Sequence, residues 1–288
     1  MDLINFAGLN CYHGCIINAA KFLGIDYLFA FSNLWSETDF YYDEKFEMFL
    51  TRRLLQNLDK IGLKLQNMPC NAHERAMVSF NSLESGSWVI GGMDAFYMPW
   101  NQYFQTLKGY HYFLGKKETK NLLTVFDPTY NQKNIKIHPD KLLPYITDFV
   151  CVKLHEPQKN KHQTSKYSMF NELNEVITSI MLLKKNMKKK IYDCTGQKRE
   201  NANRLAAYTN ALITNRYIYR HYLQNISIDS DILINLFDVK FFQEWTAVKN
   251  GLYKASFIHE NSDLLRQIAE KFCALCDKEI ALALLSFN

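Results

Sequence analysis

Residues 9–24 read Leu9-Asn10-Cys11-Tyr12-His13-Gly14-Cys15-Ile16-Ile17-Asn18-Ala19-Ala20-Lys21-Phe22-Leu23-Gly24. The apolar residues of this stretch recur at helical spacing from Cys15 to Leu23, which predicts a buried helix. Asn10 is a suitable N-cap, and Gly24 stands where helices commonly end in a left-handed residue. We therefore expect Cys11 to lie in the first turn of this helix.

A thiol in a first helical turn is a candidate nucleophile. It faces unpaired backbone N–H groups and the positive end of the helix dipole, and both favour the thiolate. Free cysteine is also a common buried residue, so this position alone does not identify a nucleophile. We expect Cys15, one turn later, to be a core residue. His13 is two residues from Cys11 and points to a different side of the helix, which makes it a poor base for that thiol.

The composition is that of a folded protein, with 288 residues of which 48% are hydrophobic and 14% aromatic. This length predicts about two domains. No apolar run reaches the roughly 20 residues of a membrane span, and the N-terminus lacks the pattern of a secretory signal. We therefore expect a soluble, cytoplasmic protein with no membrane partner.

The seven cysteines are scattered without the spacing of a disulfide framework, so we expect reduced thiols. Cys273 and Cys276 form a CxxC pair, but nothing nearby completes four zinc ligands, and we expect two core residues and no metal. No Gly-rich phosphate loop is present, so no cofactor is expected. The net charge of +5 is modest and forms no broad basic stripe with interleaved aromatics, which argues against nucleic acid as a partner.

Helical patterns precede strand patterns in the first half of the chain. Residues 44–61 are predicted as a helix, and residues 71–83 as another that opens with a capping box from Asn71 to Glu74. Between the first two helices, residues 26–37 are expected to be irregular or a short strand. Short β-prone runs follow at residues 88–90, 110–114, 122–126 and 149–154. Helices followed by a sheet predict an α+β domain.

The second half of the chain shows only helical patterns. A polar stretch at residues 155–166 predicts a domain boundary, which gives domains at 1–157 and 158–288. Amphipathic patterns without strand signals then occupy residues 168–190, 197–224, 231–250 and 261–287. They predict an all-helical C-terminal domain.

His111 is the candidate base for the Cys11 thiol. It lies in a strand-like aromatic run, and Asp127 closes the next strand. If these strands form an antiparallel hairpin that turns at residues 115–120, both side chains lie near the same open end. A carboxylate that accepts from one imidazole nitrogen leaves the other nitrogen to take a thiol proton.

The ordered motifs resemble the N-terminal domain of the butirosin biosynthesis protein H family, papain-like acyltransferases found with carrier-protein assembly lines. The matching pieces, in order over about residues 5–155, are Cys11 with Gly24 thirteen residues on, the run Val89–Trp100, His111, and Asp127-Pro128. The resemblance implies a papain-like domain with Cys11 as nucleophile, His111 as base and Asp127 as the residue that orients the base. The same order is similar to bacteriocin leader peptidases and to papain-like cyclases acting on carrier-bound thioesters.

The resemblance implies an acyltransferase of secondary-metabolite biosynthesis, such as that of an antibiotic or nonribosomal peptide. In such an enzyme the acyl group passes from the phosphopantetheine thioester of an acyl or peptidyl carrier protein to Cys11. It then passes to a small amine, which forms an amide, and neither step uses a cofactor. The residues leave other functions open. The same triad serves a hydrolase, peptidase or cyclase, and a non-catalytic helical interaction protein on this scaffold is a further alternative.

Four more residues are candidates for the site. Papain-like enzymes usually carry a Gln six residues before the cysteine as an oxyanion donor, and here that position is Asn5. Asn5 and Asn10 are therefore candidate side-chain donors beside the backbone N–H of Cys11. Asp94 and Tyr97 are candidates to bind the acceptor amine, although an aromatic loop with one structural Asp is an equal interpretation.

A basic run covers residues 184–190, where five of the seven residues are lysine. Its simplest interpretation is the solvated end of a helix. The alternative is a docking face for an acidic carrier protein, because complementary charge raises the rate of encounter.

Overall fold

The computed structural model describes residues 2–44, 48–156, 166–226 and 237–285 and has an α+β structure. The α-helices are α1 Cys11–Phe22, α2 Arg53–Lys60, α3 His73–Ser82, α4 Lys166–Tyr192, α5 Asn201–Asn225, α6 Val239–Ala255 and α7 Ser262–Leu285. The strands are β1 Phe40–Asp43, β2 Met48–Thr51, β3 Leu63–Asn67, β4 Trp88–Asp94, β5 Tyr110–Thr119, β6 Leu122–Asp127, β7 Gln132–Ile137 and β8 Ile146–Leu154. No helix in the described ranges is both long and apolar enough to cross a membrane.

Contacts divide the chain into two compact units. The first unit comprises Met1–Phe29 and Leu58–Lys159, and the second comprises Ala30–Asn57 and Asn160–Asn288. The second unit therefore includes residues 30–57, which a single boundary at 157/158 assigns to the first domain. Long-range bonds explain this inclusion, since the Trp35 indole donates to Glu279 Oε2 at 2.8 Å.

The predicted first helix is confirmed as α1. The side chain of Asn10 caps it by accepting from the His13 backbone N–H at 2.7 Å, so Cys11 is the first helical residue. At the other end, Gly24 has a φ of +78°, the left-handed conformation that glycine adopts without strain. The sequence of this segment thus specifies both of its ends.

The prediction of one helix over residues 44–61 is wrong. The structure has a β1–β2 hairpin, with residues 45–47 outside the described residues, followed by the shorter helix α2. The carboxylate of Glu37 accepts from the backbone N–H groups of Arg52 and Arg53 at 3.0 Å each and from the Thr51 hydroxyl. Because Glu37 is distant in sequence, this cap is a tertiary contact that overrides the local helical pattern. Residues 27–31, expected to be irregular or a strand, form a 3₁₀ helix.

The helix predicted at residues 71–83 is confirmed as α3, but its capping box is wrong. The N-cap is Ala72, whose side chain cannot cap a helix. The side-chain oxygen of Asn71, Oδ1, instead accepts from the Arg75 guanidinium at 2.9 Å. The C-terminal end of α3 is held by Lys117 of β5, whose buried ammonium donates to the carbonyls of Phe80, Asn81 and Leu83. A cation at this end also complements the helix dipole.

The first unit is built on a six-stranded antiparallel sheet of order β3-β8-β4-β5-β6-β7. The four strands predicted from the sequence are confirmed as its central members, β8, β4, β5 and β6. The two that the sequence analysis missed, β3 and β7, lie at the edges, where polar residues such as Lys64 and Lys136 weaken the strand pattern. The β5–β6 hairpin is also confirmed, although its turn lies at residues 120–121 and not at 115–120.

The second unit contains the helices α4 to α7, and they match the four predicted patterns apart from residues outside the described ranges. Helix α4 packs on α7, and α6 packs on both α5 and α7. At their centre, Arg216 of α5 forms a fully buried ion pair with Glu279 of α7, with 3.0 Å between Nη2 and Oε2. Of the CxxC pair predicted as two core residues, Cys276 is fully buried, whereas Cys273 is only partly buried, so the prediction is confirmed for Cys276 and wrong for Cys273.

Breaking the buried ion pair tests how this core is held together. Glu279→Leu leaves the Arg216 guanidinium buried without its partner, and we expect a loss of about 3–5 kcal/mol in the free energy of unfolding. The double variant Arg216→Met with Glu279→Leu buries no charge and should lose less. Urea unfolding of the full chain by circular dichroism measures both, with Glu244→Gln in the partly exposed pair with Lys278 as a control that changes less than about 1 kcal/mol. A double variant as unstable as the single one contradicts this account.

Candidate active site

The three predicted catalytic residues come from three elements of the first unit. Cys11 begins α1, His111 is the second residue of β5, and Asp127 is the last residue of β6. The register of the hairpin pairs Leu114 with Phe126, so Asp127 lies opposite residue 113 and diagonally across from His111 on the same face of the sheet. The structure therefore brings His111 and Asp127 together as the hairpin predicts.

His111 connects the other two residues. Its Nε2 lies 2.8 Å from Asp127 Oδ2, and its imidazole also interacts electrostatically with the side chain of Cys11. Since Nε2 is used by Asp127, the other ring nitrogen is left for the thiol. Burial alone lowers the pKa of His111, but its interactions with the negatively charged Asp127 and Cys11 outweigh burial and raise the pKa to about 9.

Asp127 is held by four donors. Besides the imidazole, Oδ2 accepts from the Trp100 indole N–H at 3.0 Å. The second oxygen, Oδ1, accepts from the backbone N–H groups of Thr129 at 3.1 Å and Tyr130 at 3.4 Å. The side chain of Asp127 is fully buried, and these bonds compensate for the lost hydration of its carboxylate. The same bonds also fix the orientation of the Asp127 carboxylate, so that it holds the imidazole by one edge of the ring only.

The thiols of Cys11 and Cys15 are in different environments, as predicted. Cys11 is half-buried, whereas Cys15 is fully buried. Burial first, and then the negative charge of Asp127 and of Cys11, raise the pKa of Cys15 well above its ordinary value, so Cys15 remains a protonated thiol. His13 is also buried, neither of its ring nitrogens has a hydrogen-bond partner among the described residues, and burial lowers its pKa to about 4.

Two residues that the sequence analysis did not single out lie close to α1 and to His111. Gly14 of α1 faces the turn after β6, where an added Cβ would be in ordinary van der Waals contact with Pro128 Cβ at 3.5 Å. Tyr130 covers the base, with its ring centroid 5.2 Å from that of His111. Tyr130 stands three residues after Asp127, and Trp100 ends the motif run at 89–100. Both residues therefore lie near motifs that the sequence shows. Nothing in the local sequence indicates that Tyr130 contacts His111 or that Trp100 contacts Asp127.

Both candidate oxyanion donors have partners within the first unit. Asn5 Nδ2 donates to the Thr129 carbonyl at 3.3 Å, which places Asn5 beside the Asp127 turn. The side-chain oxygen of Asn10, Oδ1, caps α1. The side-chain NH₂ group of Asn10 is the part that can still donate a hydrogen bond. The oxyanion role of these two residues stays a prediction, with the backbone N–H of Cys11 beside them.

The two candidate acceptor-binding residues lie at one loop. Oδ1 of Asp94 accepts from the backbone N–H groups of Phe96 and Gly109 at 3.0 Å each, so this carboxylate closes the loop that connects β4 to β5. Tyr97 projects from the same loop and stacks on Tyr145, with ring centroids 4.1 Å apart. These bonds match the structural alternative for Asp94, and its role toward an amine stays a prediction.

Comparisons add no family to this geometry. No protein-family model matches the chain, and no curated protein matches it either. Among the described residues, no group of three or more His, Cys, Asp and Glu side chains is arranged to hold a metal ion. The chemical reading of the site therefore rests on its own residues.

Replacing Asp127 tests the electrostatics of the site. In Asp127→Asn the imidazole loses its charged partner, so we expect the pKa of His111 to fall from about 9 toward its ordinary value of 6.5. Histidine-selective NMR titration measures this shift, with Asp148→Asn as a control that leaves it unchanged. A variant whose His111 still titrates near pH 9 contradicts the assignment.

The same shift predicts how stability depends on pH. Because the pKa of His111 is higher in the native chain, its stabilising effect is complete below about pH 6.5 and is lost as the pH rises through about 9. The deficit of Asp127→Asn, at most about 3 kcal/mol, should thus be largest in mild acid and shrink above pH 9.

Proposed function

We propose that this chain is an acyltransferase that carries its acyl group on Cys11. In this proposal the first unit is a papain-like catalytic domain of the kind that the sequence motifs resemble. The acyl donor is the phosphopantetheine thioester of a carrier protein, and the acceptor is a small amine. The observation that carries the proposal is that a single imidazole, His111, is hydrogen-bonded to a buried carboxylate and interacts electrostatically with the helix-start thiol.

The first step is the attack of the Cys11 thiolate on the carbonyl carbon of the donor thioester. His111 has taken the thiol proton, and the imidazolium is stabilised by Asp127. A C–S bond forms to Cys11, and the carbonyl oxygen becomes an oxyanion beside the N–H groups of the first turn of α1. The tetrahedral intermediate then expels the phosphopantetheine thiolate, which receives the proton from His111. The product is a thioester on Cys11.

The second step is attack of an amine on that thioester. Neutral His111 takes a proton from the attacking nitrogen, and the Cys11 thiolate leaves as the C–N bond is completed. Exchange of one thioester for another is nearly thermoneutral, whereas amide formation is downhill, so the sequence of steps needs no external energy source. Water in place of the amine would give the free acid by the same steps, which is the hydrolase alternative.

Two alanine variants test the nucleophile. Cys11→Ala should abolish the acyl-enzyme and keep the fold, because a half-buried helix-start thiol contributes little packing. Cys15→Ala should retain the acyl-enzyme. Intact-protein mass spectrometry after incubation with an N-acetylcysteamine thioester detects the adduct, and His111→Ala should slow its formation by about two to four orders of magnitude.

The products decide the reaction class. Adding candidate amines to the acylated chain should yield amide, while free acid alone would favour the hydrolase. Acylation that persists in Cys11→Ala and disappears in Cys15→Ala would overturn the nucleophile assignment. An unmodified wild-type chain with every donor would instead favour the non-catalytic interaction protein.

The carrier protein is proposed to dock on the basic run of α4. This run occupies the last turns of that helix, where Lys184 pairs with Asp277 at 2.6 Å and Met187 is buried. The remaining lysines are exposed, namely Lys185, Lys188, Lys189 and Lys190. Their shared positive charge supports an acidic partner, and a solvated helix end is the alternative.

Replacing these four lysines with Gln tests the docking face. We expect transfer from a carrier-bound donor to slow severalfold, with transfer from the small N-acetylcysteamine donor unchanged. Added salt should imitate the substitution, since exposed charges are screened beyond a Debye length of about 8–10 Å. The matched control replaces four exposed lysines elsewhere, Lys120, Lys240, Lys254 and Lys271. Equal effects on both donors, or none, would leave the run as a solvated helix end.

A further inference from the structure

The loop between β4 and β5 forms a closed structure beside the candidate site. Its two ends are joined where the Ala95 N–H donates to the Gly109 carbonyl at 2.7 Å. A second bond crosses the loop, from the Gln105 N–H to the Phe96 carbonyl at 3.0 Å. Gln105 adopts a left-handed conformation with a φ of +55°, which costs energy for a residue with a side chain. Compact loops of this kind are commonly functional.

The inward side of this loop is anchored in the first unit. Met98 is fully buried, and Asn101 is 4% exposed. Trp100 packs edge-on against Phe113, with ring centroids 5.4 Å apart, while its indole N–H bonds to Asp127. The loop is therefore fixed to the carboxylate of the candidate triad.

The outward side of the loop is apolar and exposed. We define the apolar face by its large hydrophobic side chains, Tyr97, Tyr103, Phe104 and Leu107 of the loop and Tyr145, which stacks on Tyr97. Their exposed fractions run from 36% to 59%, although the chain has buried other side chains of the same kind completely. Adjacent exposed hydrophobic residues on a fixed support are typical of a binding surface.

Tyr130 and the strand register place this loop beside the reacting groups. The Tyr130 ring centroid lies 5.2 Å from that of His111. Strands β4 and β5 pair Met93 with His111 and Asp94 with Tyr110, so the loop leaves the sheet at the strand ends that hold His111. The apolar face is therefore carried by a loop that starts and ends next to His111.

We propose that the apolar face binds the hydrocarbon part of the acyl group, so that the substrate class is a thioester with a medium-length aliphatic or aromatic acyl chain. This inference rests on the acyl-transfer function proposed above and specifies its donor. Burial of a few methylene groups against the face selects such chains over acetyl by roughly tenfold or more. A carrier protein seated on the same face is the competing occupant that the test distinguishes.

The test uses alkylating reagents that carry different chains to Cys11. Iodoacetamide, N-octyl iodoacetamide and a triethylene glycol amide of similar length all react in the same way, as the thiolate displaces iodide and forms a C–S bond. Mass spectrometry of digested full-length chain gives the rate at each cysteine. We expect the octyl reagent to label Cys11 roughly tenfold faster than the other two, and to show no such preference at the half-exposed Cys70.

The double variant Phe104→Ser with Leu107→Ser should remove the octyl preference and leave the rate with iodoacetamide unchanged. The matched control, Val78→Ser with Leu154→Ser, removes exposed side chains elsewhere in the first unit and should keep the preference. Unchanged iodoacetamide reactivity in the loop variant shows that its site is intact. Leu107→Ser alone serves as a second, milder variant with a partial loss.

The outcomes separate this proposal from the function on which it rests. A wild-type chain with no octyl preference, or a loop variant that keeps it, overturns the apolar face as an acyl site and leaves the nucleophile intact. The carrier alternative is favoured if, in addition, the loop variant slows only transfer from a carrier-bound donor. If no reagent labels Cys11 faster than Cys70, the proposed function fails, and the acyl site fails with it.

Discussion

The buried hydrogen bond between His111 and Asp127 is the constraint on which the candidate site depends. It exists only because the β5–β6 register places the two side chains diagonally on one face of the sheet. The carboxylate would be costly to bury without compensation, and the Trp100 indole and two backbone N–H groups provide it. The β5–β6 hairpin, the loop after β4 and the turn after β6 therefore all supply hydrogen-bond donors to the Asp127 carboxylate.

The same bond explains why two thiols one helical turn apart differ in chemistry. Asp127 stabilises an imidazolium at His111, and the side chain of Cys11 interacts electrostatically with the same ring. At Cys15 burial is the main effect, and the negative charges of Asp127 and Cys11 add to it, so the pKa of this thiol is raised and it stays protonated. Gly14, between the two cysteines, faces Pro128 of the turn that follows Asp127. Position on one helix thus gives the two thiols different electrostatic environments.

Local rules predicted the parts of the molecule whose ends are set by neighbouring residues. The Asn10 cap and Gly24 fixed α1, and the apolar runs of β4, β5, β6 and β8 identified the sheet centre together with the pairing of His111 and Asp127. Prediction from the local sequence failed where the structure of a segment depends on a contact with a residue distant in sequence. Glu37 caps α2 from a distant position in the sequence, and the predicted long helix is instead a hairpin and a short helix. Trp100 bonds to Asp127 from a loop, a contact that the spacing of the two residues does not predict.

The central claim, that Cys11 is an activated nucleophile, is tested most directly by comparing thiols of similar exposure within one chain. Cys11, Cys70 and Cys273 are all partly buried. Burial raises the pKa of Cys273 and slows its labelling, so the comparison with Cys70 is the decisive one. Competitive labelling with limiting iodoacetamide at neutral pH, read by peptide mass spectrometry, should modify Cys11 at least tenfold faster than the other two, and His111→Ala should remove that advantage. Equal labelling of the three thiols in the native chain would contradict the account.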